Sequence, residues 1–163
     1  MKKTIIAAMM VAALSISALA QKASLYERLG GQPAIEAVVN DFAARVLTDA
    51  RINKKFAKTD APRLVKNLTD FVCSATGGPC KYTGLSMKQS HTNMGTTQGE
   101  FNALVENLIF VLNELKVPTA EKGELLGALG PLAPQIVERK GNNSTGTELP
   151  KAFKPAPPLK PGM

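Results

Sequence analysis

The chain has 163 residues, 44% of them apolar, with 20 lysines and arginines against 13 acidic residues, one histidine, two cysteines and no tryptophan. That length supports one domain with a single modest core rather than two. Two cysteines and one histidine leave a structural zinc site a ligand short. The basic surplus is concentrated late in the chain without interleaved aromatics, which argues against a nucleic-acid surface.

Residues 1–20 read as a signal peptide. Lys2 and Lys3 open it, Ile5 to Leu14 is its apolar centre, and Ala18-Leu19-Ala20 is a cleavage signal. Ser15 and Ser17 interrupt the apolar run, which is shorter than the ~20 residues a spanning helix needs. No cysteine stands directly after Ala20, so no lipid anchor is expected there. The mature chain is expected to start at Gln21 and to reach a bacterial periplasm. Residues 141–163 are rich in Gly, Asn, Ser, Thr, Pro and Lys, and Pro155, Pro157, Pro158 and Pro161 preclude a regular helix there. The domain is therefore expected over residues 21–140, followed by a disordered, solvated basic tail.

Within that domain Ser24-Leu25-Tyr26-Glu27 is a capping box that starts a very short helix, stopped by Gly30-Gly31. Pro33 occupies a first helical position, and Ile35, Val38, Val39, Phe42, Val46 and Leu47 continue an apolar stripe at helical spacing. Residues 49–58 read as irregular and polar apart from Ile52 and Phe56. Thr59 or Asp60 caps the next helix, whose buried face is Leu64, Leu68, Phe71, Val72 and Ala75, and Gly77-Gly78-Pro79 ends it. The turn Ser74 to Pro79 brings Cys73 back towards Cys80, and in an oxidising compartment such a pair reads first as a disulfide. After a short segment around His91, Thr97-Gln98-Gly99-Glu100 opens the most periodic helix, with Phe101, Leu104, Val105, Leu108, Ile109, Leu112 and Leu115 on one face. Pro118-Thr119 separates it from a last helix carrying Leu125, Leu126, Leu129, Leu132, Ile136 and Val137, kinked at Gly130-Pro131. No strand-like alternation occurs, so the class is all-α, with four principal helices and two short ones.

Met87, His91 and Met94 fall at i, i+4 and i+7, which would place all three on one face of a helix. An imidazole between two soft apolar side chains suits an axial ligand to haem iron. The alternative is a lone histidine satisfied by a backbone carbonyl, and the segment alone favours that alternative. Two features favour a cofactor. The His91 segment is too short and polar to hold itself helical. The glycine joints also allow Phe56, Leu64, Leu68 and Phe71 to face His91 across an apolar cavity.

Several motifs in order resemble one family. Tyr26-Glu27-Arg28-Leu29-Gly30-Gly31, Asp41-Phe42-Ala43-Ala44-Arg45-Val46-Leu47, Gly77-Gly78-Pro79 with Tyr82-Thr83-Gly84, Met87-Lys88-Gln89-Ser90-His91 and Pro131-Leu132-Ala133 are similar to the group I truncated haemoglobins, over Leu25 to about Val137. The resemblance implies a two-over-two helical sandwich around haem b, with iron bound to His91. It also implies that Phe56 stacks on the haem near the corner after the second helix, with Leu64, Leu68 and Phe71 on the distal wall, Tyr82, Met87 and Met94 on the proximal side, and Phe101 and Leu104 at the back. The chain departs from the family at Ala43, where a tyrosine usually hydrogen-bonds the ligand, at Leu68, where glutamine is frequent, and at Asn67, where a cation often reaches a propionate. A second histidine ligand is impossible with one histidine.

The resemblance thus implies a pocket without a hydrogen-bond donor for dioxygen, and the first functional expectation is binding of diatomic gases for nitric oxide scavenging, sensing or delivery. The second is an enzyme, a nitric oxide dioxygenase or a peroxidase-like protein. Such chemistry wants a polar group beside the ligand and an electron donor or reductase, neither of which the sequence identifies. The third is a haem carrier or redox module.

Overall fold

The structure, a computed structural model, describes residues 22–141. The expected signal peptide (residues 1–20) and the expected tail beyond Gly141 lie outside the described residues. Seven α-helices appear among those described: α1 (Leu25–Leu29), α2 (Gly31–Thr48), α3 (Ala61–Ala75), α4 (Met87–His91), α5 (Gln98–Glu114), α6 (Thr119–Leu129) and α7 (Ala133–Ile136). No strand forms among the described residues, and an isolated parallel bridge joins Thr97 to Arg139. None of these helices is long and apolar enough to cross a membrane.

The caps decide where the helices begin. Ser24 and Glu27 close a reciprocal capping box on α1, and Thr97 and Glu100 do the same for α5. Asp60, not Thr59, caps α3, its Oδ1 accepting from the Arg63 amide at 2.8 Å. A third capping box, Ser86 with Gln89, starts α4. Its S-x-x-Q pattern is legible in the sequence and supplies local support that the polarity of the segment conceals. Helix α2 begins at Gly31, two residues earlier than Pro33 suggests, and residues 53–56 form a 3₁₀ turn. The last helix does break at Gly130-Pro131: α6 ends at Leu129, a 3₁₀ turn spans Gly130–Leu132, and α7 follows.

Helix α2 packs against α3 and crosses α5, while α1 meets α6 and α4 meets α7. The core between them holds Val38, Phe42, Val46, Ile52, Ala103, Val111, Leu112 and Leu125, with a smaller cluster of Ile35, Val39 and Cys73 under the start of α2. The stripe predicted on α2 is thus its buried face. Packing, not intrinsic helix propensity, holds elements this short.

Polar ties fix the joints. The Tyr26 amide donates to the Thr76 carbonyl at 2.8 Å, fastening α1 to the end of α3. Cys73 and Cys80 form a disulfide with a Cα–Cα distance of 5.8 Å, as their spacing predicts. Gly78 lies so close to this bridge that a Cβ there would stand 2.5 Å from the Tyr26 ring and 2.6 Å from Cys73 Sγ. Arg28 pairs with Glu121 at 2.9 Å and with Glu124, joining α1 to α6.

At the far end of α2, Asp49 accepts from the Arg51 guanidinium at 2.8 Å and from Asn107 Nδ2 at 2.6 Å. Asn107, 3% exposed, also donates to the Ala103 carbonyl and accepts from Arg45 Nε, so its amide is satisfied inside the core. The Arg51 hydrogen bond, with help from Asn107, holds the Asp49 carboxyl well below the usual carboxylate range. A depressed folded-state pKa contributes stability that is present above the ordinary value of 3.8 and is lost as pH falls below it. Asp49→Asn is expected to cost about 1 kcal/mol at neutral pH, or roughly 4 °C in melting temperature. Thermal melts should show the gap to the parent protein closing on acidification to below the ordinary carboxylate pKa.

Candidate functional site

His91 is the last residue of α4, and its ring is anchored from within its own helix. Nδ1 stands 2.8 Å from the Met87 carbonyl oxygen and 3.2 Å from Ser90 Oγ. Only an N–H can pair with a carbonyl, so the proton belongs on Nδ1 and the lone pair on Nε2. Burial pushes the imidazole pKa down, opposed by the Met87 bond and by the charge of Glu138. The ring is thereby kept neutral, the form in which histidine binds a metal.

The ring lines two adjoining cavities of about 220 Å³ each. One lies between α2, α3 and the α4 segment and is bounded by Phe42, Val46, Phe56, Leu64, Leu68, Phe71, Tyr82, Met87, Met94 and Leu104 among others. The other runs behind it towards α5 and α6, where Phe101, Leu104, Leu108, Leu129 and Ile136 contribute. Phe42, Leu68, Phe71, Met87, His91 and Leu104 belong to both. Together the two reach the size range of small-molecule sites, roughly 300–1,000 Å³.

All ten residues singled out from the sequence stand on these walls: His91, Phe56, Leu64, Leu68, Phe71, Tyr82, Met87, Met94 and Leu104 on the first, and Phe101 on the second. Their placements differ in detail from the sequence reading. Helix α4 stops at His91, so Met94 reaches the cavity from the following turn and not from a helical face. That turn places Asn93 and Gly95 in left-handed conformations, φ +65° and +64°. Tyr82 packs edge-on against Phe71 with centroids 5.3 Å apart, and its hydroxyl donates to the Leu85 carbonyl at 2.6 Å. The close return of that ring needs Gly84, where a Cβ would fall 2.5 Å from the Tyr82 oxygen.

The wall opposite His91 is less uniformly apolar than the sequence suggests. Thr59, Asp60, Arg63 and Asn67 line one side of the first cavity. They cluster because the N-terminal turn of α3 opens there, and a cap residue and its neighbours are polar by necessity. Ala43 is buried, 3% exposed, and Phe42 and Val46 are the α2 residues that reach this first cavity. Val38, Val39, Val72 and Val105 were not anticipated as wall residues. Their helical spacing marked the valines of α2 and α3 as core without telling core from cavity lining.

A third apolar space, about 330 Å³, shares Val38, Val72 and Leu125 with the second cavity and extends to Leu115, Lys116, Val117 and Pro118 at the corner after α5. Among the described residues no group of three or more His, Cys, Asp or Glu is arranged to hold a metal ion. The site therefore offers one nitrogen ligand in an apolar slot. That donor set suits a metal whose other ligands come from a flat organic macrocycle, and it suits a bare ion poorly.

Comparison with known proteins agrees with this chemistry. The family model for bacterial-like globins matches residues 24–138, and the chain belongs to that family. Its relatives narrow the class to group 1 truncated haemoglobins. The protein of that name from Mycolicibacterium paratuberculosis is 39% identical over 126 residues, covering 77% of this chain and 93% of the relative. That from Tetrahymena pyriformis is 39% identical over 97 residues, 60% of this chain and 80% of the relative. Among solved structures, ferric truncated haemoglobin of Tetrahymena pyriformis superposes with a TM-score of 0.69 at 33% identity, covering 72% of this chain and all of the other. The 2/2 haemoglobin of Synechococcus, crystallised with covalently attached haem, gives 0.68 at 34% identity over the same shares. The fold is the two-over-two helical globin, and haem binding comes with membership of the family.

Proposed function

We infer that the chain carries haem b with His91 Nε2 as its axial ligand, and that it binds nitric oxide and carbon monoxide with less penalty than dioxygen. One observation carries this reading. His91 Nδ1 is committed to the Met87 carbonyl, which leaves Nε2 as a neutral, unprotonated donor on the shared wall of two apolar cavities. When bound, haem supplies an iron with an open coordination position for a diatomic gas.

The protein's own contribution is orientation, exclusion of water and electrostatics. Phe56, Leu64, Leu68 and Phe71 give one side an apolar surface, and Met87 and Met94 flank the imidazole. Arg63 places a cation among the polar residues of the same cavity, suited to carboxylate substituents of the cofactor. The third apolar space adjoins the second cavity at Val38, Val72 and Leu125 and reaches the corner after α5.

Dioxygen takes up more negative charge on binding than carbon monoxide or nitric oxide, so it gains most from a neighbouring donor. Ala43 supplies no such donor, and Leu68 supplies none either. Fast dioxygen release and ready oxidation to the ferric state follow. A reductase or other electron donor would be needed to restore the ferrous state. The Cys73–Cys80 bridge suits an oxidising compartment and supports the export suggested by Lys2, Lys3 and Ala18-Leu19-Ala20.

His91→Ala is expected to abolish the haem absorption band of the purified protein; an unchanged spectrum would contradict the ligand assignment. Ala43→Tyr is expected to slow dioxygen dissociation roughly 10- to 100-fold, the effect of one good donor in a dry pocket, as measured by stopped-flow on the ferrous protein. A slow off-rate in the unmodified chain would show that another residue already fills that role. Intact-mass analysis of the exported protein is expected to give a chain beginning at Gln21.

A further inference from the structure

Lys55 is a charged residue in a place where the sequence gives no hint of burial. It lies in the 3₁₀ turn Asn53–Phe56, one residue before the cavity-lining Phe56, and is 4% exposed. Its ammonium donates to the Met94 carbonyl at 2.7 Å, lies 3.5 Å from the Gly95 carbonyl, and pairs with the Glu100 carboxylate at 3.6 Å. Glu100 is itself 2% exposed and accepts from the Thr97 amide at 2.9 Å. Burying an ammonium is costly even when it is paired, and an apolar side chain would fill the same space without that cost. What the lysine adds is direction.

The residue it grips is itself bonded to His91, through its amide rather than its carbonyl. The Met94 amide donates to the His91 carbonyl at 3.1 Å, so Lys55 holds the backbone of the turn that is itself tied to the His91 backbone. A second carboxylate holds the same turn from the other side: Glu138 accepts from the Asn93 amide at 2.6 Å and from the Gly95 amide at 2.5 Å. Asn93 and Gly95 are the two left-handed residues of that turn. A non-glycine residue in this conformation persists only when its surroundings hold it there. The segment after His91 is therefore fixed by charged side chains from two distant parts of the chain.

We propose that Lys55, braced by Glu100 and opposed by Glu138, is a positioning residue for His91, fixing how the imidazole is presented to the cavity and coupling it to the Phe56 wall. This rests on His91 being the iron ligand. Disrupting the grip loosens the turn that follows His91 while leaving the ring's Met87 hydrogen bond in place, so the imidazole would hold a bound iron less rigidly without a change of ligand.

The test uses the full haem-loaded chain. In the ferrous, ligand-free protein, resonance Raman is expected to show the iron–imidazole stretch moved to lower frequency and broadened in Lys55→Met, and haem transfer to an apo-acceptor is expected to be about tenfold faster. Lys55→Arg, which keeps a donor at the Met94 carbonyl, should restore both in large part. Val111→Ala, a core change away from the cavities, should lower the melting temperature and leave the stretch where it was. Should Lys55→Met fail to fold, the exposed Glu138→Gln removes the opposing charge and should move the stretch in the same direction. A stretch unmoved in Lys55→Met, or in Glu138→Gln where that variant stands in, overturns the proposal. Absence of any iron–imidazole stretch in the unmodified protein overturns the reading of His91 instead.

Discussion

The 2.8 Å hydrogen bond from His91 Nδ1 to the Met87 carbonyl fixes the tautomer of the imidazole and directs its remaining lone pair to Nε2. The lining of the site is arranged around that nitrogen. A histidine on a helix of five residues has little packing of its own to orient it, so the bond to the carbonyl four residues earlier does so. The Ser86–Gln89 capping box then keeps Met87 and its carbonyl in helical register. Burial, which alone would strand a polar ring, here favours the neutral form that a metal requires. A histidine whose Nδ1 is satisfied by a backbone carbonyl keeps Nε2 available as a ligand, so the two readings of His91 are compatible.

The rest of the domain supplies walls. Helices α2 and α3 pack together tightly enough that Val38, Phe42, Leu68 and Val72 serve both the core and the cavities. The disulfide joins the end of α3 to the segment that carries Tyr82, and Gly78 and Gly84 make room for the close approaches involved. At the opposite edge Lys55, Glu100 and Glu138 tie the turn after His91 to the Phe56 segment and to the exit of α7. An apolar slot stays open only if its rim is held by something other than hydrophobic contact, and here the rim is held by one covalent bridge and by ionic groups.

Family and chemistry fit together at the level of single residues. A bacterial-like globin with one histidine has one candidate for the iron, and that residue lies on the cavity wall. On the proposed reading Ala43 and Leu68 offer no donor to dioxygen, while Thr59, Asp60, Arg63 and Asn67 concentrate polarity on one side of the first cavity.

The sequence by itself determined the helical class, the start of α1 and α5 from their capping boxes, the break at Gly130-Pro131 and the pairing of Cys73 with Cys80. Each of these rests on local chemistry or on spacing within one element: a cap needs its partner three residues on, and a short loop brings its two ends together. Tertiary structure alone decided that Met94 enters the cavity from a turn, that the start of α3 gives the pocket a polar side, and that Lys55 is buried. Those outcomes depend on which groups from distant segments arrive to satisfy them. Lys55 sits in a stretch that reads as solvated because its partners, the Met94 carbonyl and Glu100, are some 40 residues away, and no local pattern records such a meeting.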